Sequence, residues 1–146
     1  MLMDSITVDN IDIQIQATDW EDAITKSAQT LLNQGAFTPE YIDAMIKVVK
    51  DSGPYIVISK HIALAHARPE NGVIKQGLSF STLNPPIEFG AEGLDPVRLV
   101  ITLAAKDNNA HLDLLAELVD VLMDEDRMEA LYEAKTKEEF LGILKG

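Results

Sequence analysis

The sequence predicts an α/β domain in which a mixed β-sheet is flanked by helices on both faces. Three observations carry this expectation. Period-2 or continuous β-rich apolar patterning falls at residues 11–16, 55–58, 78–81 and 97–105. Helical periodicity falls between and after these runs rather than in one block, the mark of a sheet covered by helices. The 146 residues are 47% apolar and 25% charged, with a mean hydropathy of +0.03, which suits one globular domain, residues 1–146, with a sizeable core. Aromatics make up only 5%, so that core must be built from Ile, Leu, Val, Ala and Met.

Ile11, Ile13 and Ile15 alternate with Asp12, Gln14 and Gln16 as in a half-buried strand. Thr18 with Glu21 reads as a capping box opening a helix whose inner face is Trp20, Ala23, Ile24, Ala28, Leu31 and Leu32, with Gly35 at its end. Thr38-Pro39 opens a second helix with Tyr41, Ile42, Met45 and Ile46 inward, and Gly53-Pro54 stops it. Tyr55 to Ile58 fits a strand buried on both faces, and residues 60–72 read as irregular. Leu78 to Ser81 alternates, Asn84-Pro85-Pro86 reads as a turn, and Ile87 to Phe89 as a brief edge strand. Val97 to Ala105 is the central strand. A helix follows with Leu112, Leu115, Leu118, Val119 and Leu122 inward, then a short acidic helix over 124–133. A capping box at Thr136 and Glu139 opens a last helix carrying Phe140, Ile143 and Leu144.

Twelve basic and 24 acidic residues leave a net charge of -12. Such a surface repels phosphate backbones, so nucleic acid and anionic membranes are poor partners. The charge is uneven, however. Residues 1–46 and 107–146 are strongly acidic, whereas residues 47–106 hold seven bases against five acids. An anionic ligand is drawn to the middle of the chain. No apolar run approaches the ~20 residues of a membrane span. The amino terminus, Met-Leu-Met-Asp-Ser, lacks the pattern of a secretory signal, so the cytoplasm is the expected location.

With no cysteine, thiolate chemistry and disulfides are excluded. HExxH, GxSxG, GxGxxG and the P-loop pattern do not occur, and the acidic pairs lie on solvated terminal helices. The chain has three histidines, His61, His66 and His111. A lone histidine is more often a surface or satisfied core residue, and that reading applies fully to His61. His66 and His111 fall where strands run into loops or helix starts, the places where α/β folds carry their sites. His111, in the first turn of a helix, lies beside free amides and the positive dipole end, which favour a nearby anion. Spacing alone leaves this reading level with that of a plain first-turn residue. Arg68 could hold phosphate oxygens in pairs, or simply bridge to Glu70 at the surface. Imidazole is the one side chain that attacks phosphorus at neutral pH without prior deprotonation.

The segment Gly53-Pro54-Tyr55-Ile56-Val57-Ile58, followed by Ile62-Ala63-Leu64-Ala65-His66-Ala67-Arg68-Pro69, resembles the active-site region of phosphotransferase-system (PTS) EIIA proteins of the mannitol/fructose type, EIIA type 2. The match is closest to the ascorbate-type branch. It continues through Gly77-Leu78-Ser79, Val97-Arg98-Leu99-Val100, Leu103-Ala104-Ala105 and Ala110-His111-Leu112, covering almost the whole chain. The resemblance implies a cytoplasmic phosphoryl carrier of sugar transport that works without metal or bound cofactor. Its catalytic histidine, His66, is phosphorylated by the histidine-containing phosphocarrier protein. The group then passes to a cysteine of a cognate EIIB, and through it serves a membrane EIIC. His111 would help hold the phosphoryl group, and Nε2 of His66 is the expected acceptor.

Two departures stand out. Ala65 replaces the proline that many relatives carry before the active histidine, and Val48 falls opposite an arginine of mannitol-type members. The second argues against mannitol or fructose as substrate, and Arg68 is a candidate to supply the missing charge. Two other classes remain open: a phosphorylation-sensing module governing a transcriptional antiterminator, and an inactive fold-mate. The lack of an attached winged-helix or RNA-binding segment favours the carrier. The sequence leaves association into a homodimer open.

Overall fold

The computed structural model describes residues 2–146, together with every side chain in that range except those at positions 2, 3, 108, 110, 111 and 114. The chain forms β1 (Ile11–Ile15), α1 (Trp20–Ser27), α2 (Gln29–Asn33), α3 (Pro39–Ser52), β2 (Val57–Ser59), β3 (Ile62–Ala65), β4 (Gly77–Ile87), β5 (Val97–Ala104), α4 (Asn108–Leu122), α5 (Glu125–Glu133) and α6 (Lys137–Lys145). The strands make one mixed sheet in the order β1-β4-β5-β3-β2. β1 is parallel to β4 and β3 to β5, while the β4–β5 and β2–β3 pairs are antiparallel. This is the mixed, doubly covered sheet that the sequence predicts.

Alternation of side chains along each strand builds two cores. Ala63 and Ala65 of β3 and Val100 and Ala104 of β5 face Ala23, Ile24, Tyr41 and Met45 of α1 and α3. Ile62 and Leu64, with Leu99, Ile101 and Leu103, face Leu118, Met128, Leu131, Phe140 and Leu144 of α4–α6. Small side chains on the first face let α1 and α3 lie close to the sheet, and burying each large residue on the second is worth roughly 1.5–3 kcal/mol.

Several boundaries differ from expectation. The first helix is capped by Asp19, not Thr18: its carboxylate accepts the Asp22 amide at 2.8 Å. Asp22 in turn accepts the Thr18 amide at 3.0 Å, and that bond, with Lys26 alongside, holds the Asp22 carboxyl below the usual carboxylate range. An aspartate caps as well as a threonine, so the cap moves by one residue, and the Asp22 carboxylate reaches the residue before the cap rather than closing a box. The helix is also interrupted at Ala28, which separates α1 from α2. At the last helix Thr136 caps as expected, its hydroxyl accepting the Glu139 amide at 3.0 Å, but the box is not closed: the Glu139 carboxylate accepts the Lys135 amide at 3.0 Å, one residue before the cap.

The run at 55–58 is not a doubly buried strand. β2 is a three-residue edge strand, with Ile58 exposed and Tyr55 outside it. The buried neighbour is β3, inside the stretch expected to be irregular, where all four residues are buried. Its Ile-Ala-Leu-Ala run is too short and alanine-rich to announce a strand; pairing with β5 makes it one. Asn84-Pro85-Pro86 is no turn but part of the long β4, at the register shift between Thr82 and Ile87. On α4, Leu118 and Val121 are buried while Leu112 and Val119 are exposed, so its inner face is rotated from the expected one. Among the described residues no helix is long and apolar enough to cross a membrane.

Candidate functional site

β3 and β5 run parallel, so both end on the same side of the sheet. Their register runs from Ile62 opposite Leu99 to Ala65 opposite Thr102. His66 is the first residue past β3, and the chain then leaves the sheet into a 3₁₀ turn, Pro69–Asn71. The two strand ends border a cleft of about 320 Å³. The loop lines it with His66, Ala67, Arg68 and Pro69, β5 with Leu103, the link from β5 to α4 with Ala105 and Asp107, and α3 with Tyr41 and Val48. α4 begins at Asn108, one residue beyond Asp107, so its amino end adjoins the cleft.

His66 is half-buried, and its Nδ1 lies 2.8 Å from the Leu64 carbonyl oxygen. A carbonyl only accepts, so in the neutral ring Nδ1 carries the proton and donates it. The in-plane lone pair, the nucleophilic electron pair of imidazole, is then on Nε2.

Arg68 is exposed, lines the same cleft, and among the described residues makes no ion pair with Glu70. Val48 also lines it, so this position faces the site and is apolar. Lys60 and Lys75, near His66 in sequence, do not line the cleft; Lys60 precedes the opposite end of β3. His61 sits at that far end too. Its Nδ1 is 2.7 Å from the Pro96 carbonyl and its ring stands edge-on to Tyr132, a satisfied histidine remote from His66. His111 is the fourth residue of α4, and its side chain lies outside the described residues.

Tyr41 is the participant that sequence reasoning missed. It lies on the predicted inner face of α3 and is only 1% exposed. Yet its hydroxyl accepts the Ala67 amide at 3.0 Å and donates to the Leu103 carbonyl at 2.8 Å. Burial pushes this hydroxyl up from its ordinary pKa, with the hydrogen bond at Ala67 pulling weakly the other way, so it stays a donor at neutral pH. The available signal was a tyrosine where a phenylalanine would fill an apolar face, since a buried phenol needs a partner.

Comparisons with known proteins identify the family and the fold. The family model described as phosphoenolpyruvate-dependent sugar phosphotransferase system, EIIA 2, matches residues 4–146. The ascorbate-specific PTS system EIIA component of Salmonella typhimurium is 36% identical over 145 residues, which cover 98% of this chain and 94% of the relative. The solution structure of the mannitol-specific cryptic phosphotransferase enzyme IIA of Escherichia coli superposes with a TM-score of 0.88 at 30% identity, covering 100% of both chains. The E. coli enzyme IIA of mannitol, solved in complex with phosphorylated enzyme IIB, gives 0.85 at 31% identity, covering 97% of this chain and 98% of that one.

Proposed function

From the premise that this chain belongs to the EIIA type-2 family of the phosphoenolpyruvate-dependent sugar phosphotransferase system, we propose that it is a cytoplasmic phosphoryl carrier with His66 as its acceptor. The observation that supports this most directly is the bond from His66 Nδ1 to the Leu64 carbonyl, which directs the ring's lone pair to Nε2. Nε2 attacks the phosphorus of the phosphohistidine on the histidine-containing phosphocarrier protein. The donor P–N bond breaks as the new one forms. In the second half-reaction a cysteine thiolate of the cognate EIIB attacks the same phosphorus, a P–S bond forms, and His66 regains its lone pair.

The arriving group brings roughly -1.5 to -2 charges. The amino end of α4 is oriented to stabilise it by about 0.3–1 kcal/mol, and His111 in that first turn is assigned the same task. Arg68 supplies the mobile positive charge at the cleft mouth, where Val48 offers none. Modest stabilisation suits a carrier that must release what it accepts. Exposed Tyr55, Ile74 and Leu112 give this end of the molecule an apolar rim on which protein partners can dock. Relatives named for ascorbate favour an ascorbate-type system over mannitol or fructose, as does the loss of arginine at Val48.

The test is mass spectrometry at neutral pH after incubation with phosphoenolpyruvate and the general phosphocarrier proteins. One acid-labile phosphoryl group on His66 is expected, and none in His66→Ala. Labelling that survives this substitution rejects the assignment.

A further inference from the structure

The β3–β5 ladder is interrupted at a defined point. His61 O accepts the Leu99 amide at 3.1 Å, which fixes the odd-numbered residues of this strand as those bonded to β5. Continued past Ala65, the pattern would bring the Ala67 amide directly onto the Leu103 carbonyl. Instead the Tyr41 hydroxyl stands between them, taking the first bond at 3.0 Å and giving the second at 2.8 Å. One oxygen thus replaces one direct strand-to-strand bond, and the strand ends are held apart where the cleft opens. The same helix start is tied to the loop again by the Thr38 amide, which donates to the Gly72 carbonyl at 3.0 Å.

We propose that Tyr41 is a positioning residue for His66: its hydroxyl splices the β3–β5 ladder open and thereby sets the cleft and the imidazole within it. Without the hydroxyl, the Ala67 amide and the Leu103 carbonyl either close on each other, narrowing the cleft, or lose their partner and let the loop move. Both outcomes displace a ring anchored only two residues upstream, and in-line transfer is intolerant of such displacement. This role rests on His66 being the phosphoryl acceptor, but its structural half does not.

The experiment compares Tyr41→Phe with the parent and with Tyr132→Phe, which removes a partly buried hydroxyl far from the cleft. Ring-nitrogen NMR of His66 and hydrogen exchange of the Ala67 amide need no donor protein. The expected result is a changed tautomer signature and faster Ala67 exchange in Tyr41→Phe alone. In donor assays its kcat for transfer should fall about tenfold or more with KM for the phosphocarrier little changed, and Tyr132→Phe should match the parent. Parental His66 and Ala67 spectra in Tyr41→Phe overturn the proposal, and so does an unaltered kcat despite altered spectra. If the parent itself takes no phosphoryl group on His66, the carrier reading fails, while the spectra still decide whether the hydroxyl sets the imidazole.

Discussion

Nδ1 of His66 is hydrogen-bonded to the carbonyl oxygen of Leu64, two residues back on its own strand, at 2.8 Å. The chain thus selects the tautomer of its candidate nucleophile with its own backbone. A carboxylate in that place would stabilise the imidazolium and discourage release of the proton; a neutral carbonyl orients the ring with a lighter hold. Since a backbone atom does the orienting, no side-chain substitution mimics its loss, and the substitutions that inform on the site are those around it.

Arg68 lines the cleft with its charge uncommitted to Glu70. An exposed cation contributes about 1 kcal/mol or less to holding an anion. Arg68→Ala should therefore slow transfer several-fold without abolishing His66 labelling, and Arg68→Lys should recover part of the loss. Stopped-flow or quench-flow transfer rates decide; equal rates for Arg68→Ala and the parent dispose of the idea that this arginine compensates for Val48.

Tyr55 is 80% exposed beside the edge strand, at the His66 end of the molecule, because Leu64 N donates to Ile56 O and so sets residue 55 level with the end of β3. A large aromatic there is costly to leave in water unless a partner covers it in turn. Tyr55→Ser should weaken docking by about 1–2 kcal/mol, seen as a raised KM for phosphocarrier or EIIB. The final extent of labelling should not change. A lowered kcat at unchanged KM would contradict this assignment.

Gly72 ends the 3₁₀ turn after His66 with φ of 139°, and a methyl added there would run into Thr38 Oγ1 and stand 3.3 Å from Tyr41 Cβ. Backbone strain and the clash act together. Gly72→Ala is expected to cost about 1–3 kcal/mol, a fall in Tm of roughly 3–10 °C at this chain length. Calorimetry showing no change would mean that α3 and the loop are not coupled as described.

Tyr132 is half-buried under the Arg98 guanidinium, which lies 4.2 Å from its ring centre. Burial pushes its hydroxyl from 10.0 to about 12, with Arg98 opposing and Glu129 reinforcing. The unfolded chain therefore ionises first. The stability tied to this neutral phenol is complete below pH 10 and is lost as the pH climbs towards 12. Urea midpoints across that window should fall less steeply for Tyr132→Phe than for the parent. Parallel curves would show that this phenol does not drive the alkaline loss.

The central strand, the second helix with its Pro39 start and Gly53 stop, and the Thr136 cap were all legible in the sequence, because each is set by local periodicity or by a residue with one backbone preference. His66 was legible too, through its place in an apolar segment and the motif around it. β3 was not. Its alanines carry no strand signal of their own, and only the pairing with β5 and the close approach of α1 and α3 make small residues right for that position. The inner face of α4 differs for a similar reason: its apolar stripe of leucines and valines is wider than the covered strip, and packing on α5 and the sheet covers Leu115, Leu118, Val121 and Leu122 while leaving Leu112 and Val119 out.

The residue order alone therefore determined the fold class, the candidate nucleophile and the acidic character that disfavours nucleic acid, since these follow from pattern, composition and chemical type. Tertiary structure decided which lysines and arginines reach the cleft, that His61 is satisfied far from it, and that a core tyrosine holds two strand ends apart. Those are relations between groups distant in the chain. Tyr41 and Leu103 are 62 residues apart, and no local rule links a phenol to a carbonyl across that separation until the sheet and α3 bring them together.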